Sequence, residues 1–190
     1  MFDDLKNILL YLVQRPAVWW SDIKFRWVIS DKGGLVIISI AVLVIASSTG
    51  LFSYYLSAKE QRRDIVCLAL NVYHEARGEP LSGQFAVAEV TMNRVASKNY
   101  PDSVCEVVYQ QNWDPERKRF IGMFSWTEHD EQPVVNSESW KKALQVAELA
   151  YSDDYTPRLE GALFFHARYV HPRWSRTKQP KAHIGSHIFY

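Results

Sequence analysis

NVYHEARGEP, residues 71–80, closes a segment whose apolar residues recur at helical spacing, and its phase decides what the rest of the chain must build around. After Asp64, apolar side chains fall at Ile65, Leu68, Ala69, Val72, Tyr73 and Ala76, the offsets of one helix face. The stop is written in Arg77-Gly78 followed by Pro80. Glycine is favoured just past a helix end, and the residue before a proline is driven out of the helical region. At about 100° per residue, His74 falls opposite the apolar stripe, whereas Glu75 lies at its edge beside Leu68 and Val72.

Two chemistries compete for these residues. His74-Glu75 opens a zinc-protease pattern, which needs a second imidazole four positions after the first so that both reach one metal. That position is Gly78. His129, His166, His171, His183 and His187 are scattered through the rest of the chain, the last two flanking Gly185 in a segment expected to be extended, so neither metal nor cofactor is expected. The alternative is acid–base chemistry. A carboxylate at the margin of an apolar face loses solvation, which raises its pKa and lets it hold a proton near neutrality. Glu75 meets that description; the bland reading is an ion pair with Arg77 or Arg94. Glu79, four residues on, is a possible second carboxylate beyond the helix end.

The chain of 190 residues suits one globular domain, and 47% hydrophobic residues with a net charge of +1 argue against disorder and against electrostatic attraction to nucleic acid. Residues 35–56 (LVIISIAVLVIASSTGLFSYYL) carry no charge and are bracketed by Lys32 and Lys59. Such a run is long enough to cross a hydrocarbon core of about 30 Å. A buried core helix and a cleaved signal peptide are the alternatives; the long leader before the apolar run argues against the second. Residues 1–34, with Trp19, Trp20, Phe25 and Trp27 among Lys24 and Arg26, read as a juxtamembrane amphipathic segment. Basic residues flank both sides of the apolar run and favour an inside N-terminus by a small margin. The organisation expected is therefore a membrane part, a charged linker at 57–63 and a globular domain at 64–190. Cys67 and Cys105 both follow the apolar run; in an exported domain they could close a disulfide, the alternative being two buried thiols.

A second helix is expected over 81–97, forming a hairpin with the first and bringing Gln84, Glu89 and Asn93 toward Glu75. Glu89 reads either as a second carboxylate or as a buried hydrogen-bonding group. CEVVYQ follows as a short helix or strand, then a polar insert at 112–119 and the triplet FSW. Phe124 and Trp126 around Ser125 read either as a platform for sugar rings or as a core aromatic pair. A third helix is expected over 137–151, capped by Ser137. The aromatic tail reads as short strands and turns. Together these elements predict an α+β domain, mainly helical, with a small strand-bearing lobe and a groove between the lobes.

YHEARGEPLSGQFAVAEVTMNRV, SVCEVVYQ, FSW, ALFFHARYVHPRW and IGSHIFY, in this order, resemble the SleB-type cell-wall hydrolase family, named for spore cortex-lytic enzymes. The resemblance covers residues 64–190. It implies a lysozyme-like fold and cleavage of peptidoglycan glycan strands between N-acetylmuramic acid and N-acetylglucosamine. It assigns catalysis to Glu75, the first glutamate of EARGE, and places Tyr73, Gln84, Asn93, Phe124, Ser125, Trp126 and Trp174 at motif positions that line the groove. Lytic transglycosylases of this kind need one carboxylate, whereas hydrolases generally use two. The insert at 112–119 is longer than the connection typical of the family. A non-catalytic wall-binding module and a zinc amidase remain as alternatives, and a bacterial remodelling, germination or endolysin-like phage role fits the same motifs. A domain that cuts wall glycan belongs on the periplasmic or wall side of a single-pass inner-membrane protein.

Overall fold

Helix α1 runs from Asp31 to Ala76, longer at its N-terminal side than the sequence suggested. A computed structural model describes residues 31–129, 133–134, 137–159 and 161–190. The chain divides into two units, residues 1–57 and 58–190. Most of the expected amphipathic segment, residues 1–30, lies outside the described residues. Residues 57–63, expected as a linker, are helical. Their composition explains it: Ala58, Lys59, Glu60, Gln61, Arg62 and Arg63 are all good helix formers, and polarity alone does not interrupt a helix.

In the first unit, the apolar side chains of α1 face outward, Leu43 being 66% and Leu51 71% exposed. An 18-residue window here has mean hydropathy 2.5, none of it buried by the chain. Four hydroxyls inside this run bond to the helix itself. Ser39 donates to Leu35 O, Ser47 to Leu43 O, Ser48 to Ile45 O and Thr49 to Ala46 O. Bonds of this type remove the need for water at the polar side chains. Length and composition suffice to cross a membrane; an N-terminal signal sequence shares both properties.

In the second unit, α1 packs Leu68, Ala69 and Val72 into a core shared with α2 (Leu81–Val95), α3 (Val104–Val108) and α4 (Glu138–Tyr151). Alanines at 88, 143, 147 and 150 bring the helices close. Cys67 on α1 and Cys105 on α3 form a disulfide. Two of the orphan amides at the start of α3 find side-chain acceptors: Cys105 N donates to Asp64 Oδ1 at 3.1 Å and Glu106 N to Ser103 Oγ at 3.3 Å. Ser137 caps α4, accepting from Trp140 N.

The polar insert forms a hairpin of β1 (Gln111–Asp114) and β2 (Arg119–Gly122), joined by a turn in which Asp114 Oδ1 accepts from the amides of Glu116 and Arg117. FSW leads into a 3-10 turn, Ser125–Glu128. The tail supplies β3 (Phe165–Ala167), β4 (Ala182–Ile184) and β5 (His187–Phe189), an antiparallel sheet in the order β3-β5-β4. Phe189, fully buried, packs with Val87, Val90, Leu159 and Ala162 in a second core cluster. Gly185 takes φ +58° in the β4–β5 turn. The unit is mainly helical with two small antiparallel sheets, the α+β arrangement expected.

Candidate active site

Helix period brings Asn71 and Glu75, four residues apart, onto one face at the C-terminal end of α1. The helix closes through Arg77 N to Tyr73 O and Glu79 N to Ala76 O, and Pro80 then leads into α2. Glu75 is partly buried. Burial pushes its carboxyl up from 4.5 to about 7, opposed by the Arg94 guanidinium. A carboxyl with that pKa is half protonated at neutrality, poised both to give and to take a proton.

Around Glu75 the side chains are fixed by one another. Trp126 Nε1 donates to Asn71 Oδ1 at 3.0 Å, Asn71 Nδ2 donates to Thr91 Oγ1 at 3.0 Å, and Thr91 donates to Val87 O at 3.2 Å. Asn71 and Thr91 are fully buried. Each donor has one acceptor, so the amide of Asn71 has a single orientation that satisfies both neighbours. The indole of Trp126 also stacks on His74, centroids 4.5 Å apart with planes 13° from parallel. Phase alone put His74 on a solvated face, which is corrected here: the 3-10 turn covers that face.

Arg94 was legible only as a surface cation that Glu75 could pair with. It is buried on α2, 5% exposed. Its Nε donates to Leu163 O at 2.9 Å, and its guanidinium lies over the rings of Phe124, at 5.0 Å, and Tyr100, at 5.5 Å. Its Nη1 has no hydrogen-bond partner among the described residues.

The other expected site residues separate into two groups. Ser125 and Trp174 are exposed and Trp126 is half-buried, so each offers surface to a ligand. Phe124 is 3% exposed, beneath Arg94 and beside Phe165, and does not form the open platform that the triplet suggested. Phe124 is the extended residue before the 3-10 turn and Trp126 lies within it, and the interior claims Phe124. Tyr73 is buried against Trp140 and His74 and lies under Arg77. Gln84 is buried with its amide on Glu79 O, and Asn93 donates to Ala162 O. Gln84 and Asn93 hold the backbone around the site.

Neither further carboxylate stands ready beside Glu75. Glu89 accepts from the amides of Arg158 and Leu159, the latter at 2.5 Å, and from Tyr155 Oη at 3.1 Å. Glu79 accepts from both the amide and the hydroxyl of Ser186, with His187 Nδ1 at 3.7 Å. Burial pushes the Glu79 carboxyl up, but the Ser186 bonds and His187 outweigh it and hold it below the usual range. Among the described residues no three His, Cys, Asp or Glu side chains gather as a metal would need.

Comparison with known proteins agrees with the motifs. The family described as Cell Wall Hydrolase matches residues 78–190. A spore cortex-lytic enzyme of Bacillus cereus is 30% identical over 128 residues, 67% of this chain and 44% of that protein. This chain thus spans less than half the length of that curated relative. The crystal structure of the catalytic domain of the Bacillus cereus SleB protein superposes with a TM-score of 0.50 at 31% identity, covering 67% of this chain and 89% of that one. The catalytic domain of the germination-specific lytic transglycosylase SleB from Bacillus anthracis gives the same score and identity, covering 66% and 92%. Sequence, motif order and fold together place this chain in the cell wall hydrolase family, as a homologue of the SleB spore cortex-lytic enzymes.

Proposed function

We propose that this protein is a lytic transglycosylase that cleaves peptidoglycan glycan strands between N-acetylmuramic acid and N-acetylglucosamine, with Glu75 as acid and then base. The observation that carries the reading is the Glu75 carboxyl, desolvated at a helix margin with its pKa raised to about 7. Protonated Glu75 gives its proton to the glycosidic oxygen as the bond from the muramic C1 breaks, and positive charge spreads over C1 and the ring oxygen. The 6-hydroxyl oxygen of the same sugar then bonds to C1, and its proton passes to the Glu75 carboxylate. A 1,6-anhydro ring results, and the enzyme returns to its starting protonation. No second carboxylate is required. That suits a site in which Glu79 and Glu89 are both committed to hydrogen bonds elsewhere.

Ser125, Trp126 and Trp174 are the groove residues with surface to offer a sugar; Tyr73, Gln84, Asn93 and Phe124 shape the walls behind them. The apolar run of α1 serves in this reading as a membrane anchor, with the N-terminus inside and the second unit on the wall side where the substrate lies. The test is to incubate the protein with purified peptidoglycan and identify the soluble fragments by mass spectrometry. Anhydro-muramyl products that vanish in Glu75→Gln and persist with chelator are expected. Reducing-end sugars would replace transglycosylation by hydrolysis, and released peptides with intact glycan would remove the glycosidase reading altogether.

A further inference from the structure

The hairpin built by the polar insert carries an aromatic pair that the cleavage chemistry leaves unused. Trp113 and Phe120 are directly opposite in register, so both side chains leave the same face of the hairpin. Their rings meet edge to face with centroids 5.3 Å apart, yet Trp113 is 55% and Phe120 60% exposed. Two large rings that brace each other while leaving over half their surface in water form a preorganised apolar platform.

The hairpin is rooted in the site. Glu128, at the end of the 3-10 turn that holds Trp126, pairs with Arg119 at 2.8 Å and accepts from the amide of Gly122. Met123 N donates to Gln110 O, and Tyr109 on the same approach meets the Trp126 ring edge to face. A side chain at Gly122 would collide with Thr127, so the hairpin base sits tightly on that turn. The hairpin that carries the platform is therefore anchored on the turn of Trp126, whose indole is bonded to Asn71 on the helix face that carries Glu75.

Charge narrows the occupant. Asp114, Glu116 and Glu128 balance Arg117, Lys118 and Arg119, and Arg119 is paired with Glu128 while Arg117 lies 3.7 Å from Asp114. A charge-balanced hairpin whose exposed rings share their face with the amide of Gln111, two residues before Trp113 on the same strand, suits a neutral, hydroxyl- and acetamide-bearing sugar better than an anionic lipid surface. We infer that the Trp113–Phe120 hairpin is an additional binding site for a neutral N-acetylhexosamine strand, holding the glycan beyond the bond being cut. This rests on the proposed glycan-cleaving function.

The test uses the full-length chain in neutral detergent with Glu75→Gln, so that strands are held without being cut, and measures its sedimentation with purified peptidoglycan. Trp113→Ala with Phe120→Ala is expected to weaken binding about tenfold, while Trp113→Phe with Phe120→Tyr keeps it within about twofold. Soluble N-acetylglucosamine oligomers should compete with the parent and lose that ability against the alanine pair. Unchanged binding by the alanine pair overturns the inference, as does a loss that appears only when anionic lipid is added to the micelles. Since this background cuts nothing, failure of the intact protein to cleave glycan would remove the functional reading while leaving the binding result readable.

Discussion

Replacing Glu75 by glutamine separates a catalytic acid from a structural ion pair by its effect on stability. In the unfolded chain the carboxyl titrates near 4.5, and in the folded protein near 7. Below 4.5 it is protonated in both states and contributes no difference. As pH rises from 4.5 to 7 the unfolded chain releases its proton while the folded protein keeps it, so stability falls; above 7 the full penalty of a buried carboxylate is in place. That interval corresponds to about 3 kcal/mol. Glu75→Gln is neutral and never incurs it. The variant should match the parent at pH 4 and exceed it by about 3 kcal/mol at pH 8, roughly 10 °C in the thermal midpoint for a chain of this size, while releasing no glycan fragments. Thermal unfolding followed by circular dichroism across that pH range provides the measurement. A difference that is flat with pH would show that folding does not shift the Glu75 carboxyl, and a variant less stable than the parent at pH 8 would show a stabilised carboxylate; either result would refute the acid assignment.

Three further outcomes follow from the same geometry. Removing the disulfide with Cys67→Ala and Cys105→Ala opens a loop with a sequence separation of 38, worth about 4 kcal/mol in chain entropy; denaturant unfolding should show that loss, and reductant should reproduce it in the parent. Gly185→Ala combines a strained positive φ with a methyl group driven into the Glu79 carboxylate, so a cost above about 2 kcal/mol is expected, and a shift under half of that would mean Glu79 does not hold the β4–β5 turn. Trp126→Phe keeps the stack on His74 but leaves Asn71 Oδ1 without its indole donor; about 1–3 kcal/mol of stability should be lost, with turnover on peptidoglycan falling further than Trp174→Phe lowers it.

What could be read in advance followed from local rules, and what could not depended on distant partners. Helix phase put Glu75 at a partly buried margin because Leu68 and Val72 on its own helix lie two turns and one turn away. The same rule misplaced His74, whose cover comes from Trp126, 52 positions later and invisible to periodicity. Phe124 and Trp126 look alike in a triplet, and only the tertiary position of Arg94 decides that the first ring goes inward. Glu89 stayed open between two roles until Arg158 and Leu159 presented their amides. The insert at 112–119 read as polar because its charges outnumber its rings. Cross-strand register then sets its one ring, Trp113, beside Phe120 on one face, a property of pairing that composition does not encode. Asn71 left a signal that could have been used: a polar amide on an apolar stripe one turn before the acid.

The bonds from Glu89 to Leu159 and from Glu79 to Ser186 join residues 70 and 107 apart in sequence. With α2 packed on α4, they link the two sides of the connection at 129–137 without using it. A protease that cut this connection would leave fragments with complementary faces: a buried carboxylate on one, and the amides it needs on the other. The nicked protein would stay assembled, and the two fragments made separately have the contacts to find each other. Glu75 lies on the first fragment and the Ser186 clamp on the second, so recovered cleavage would report their reunion.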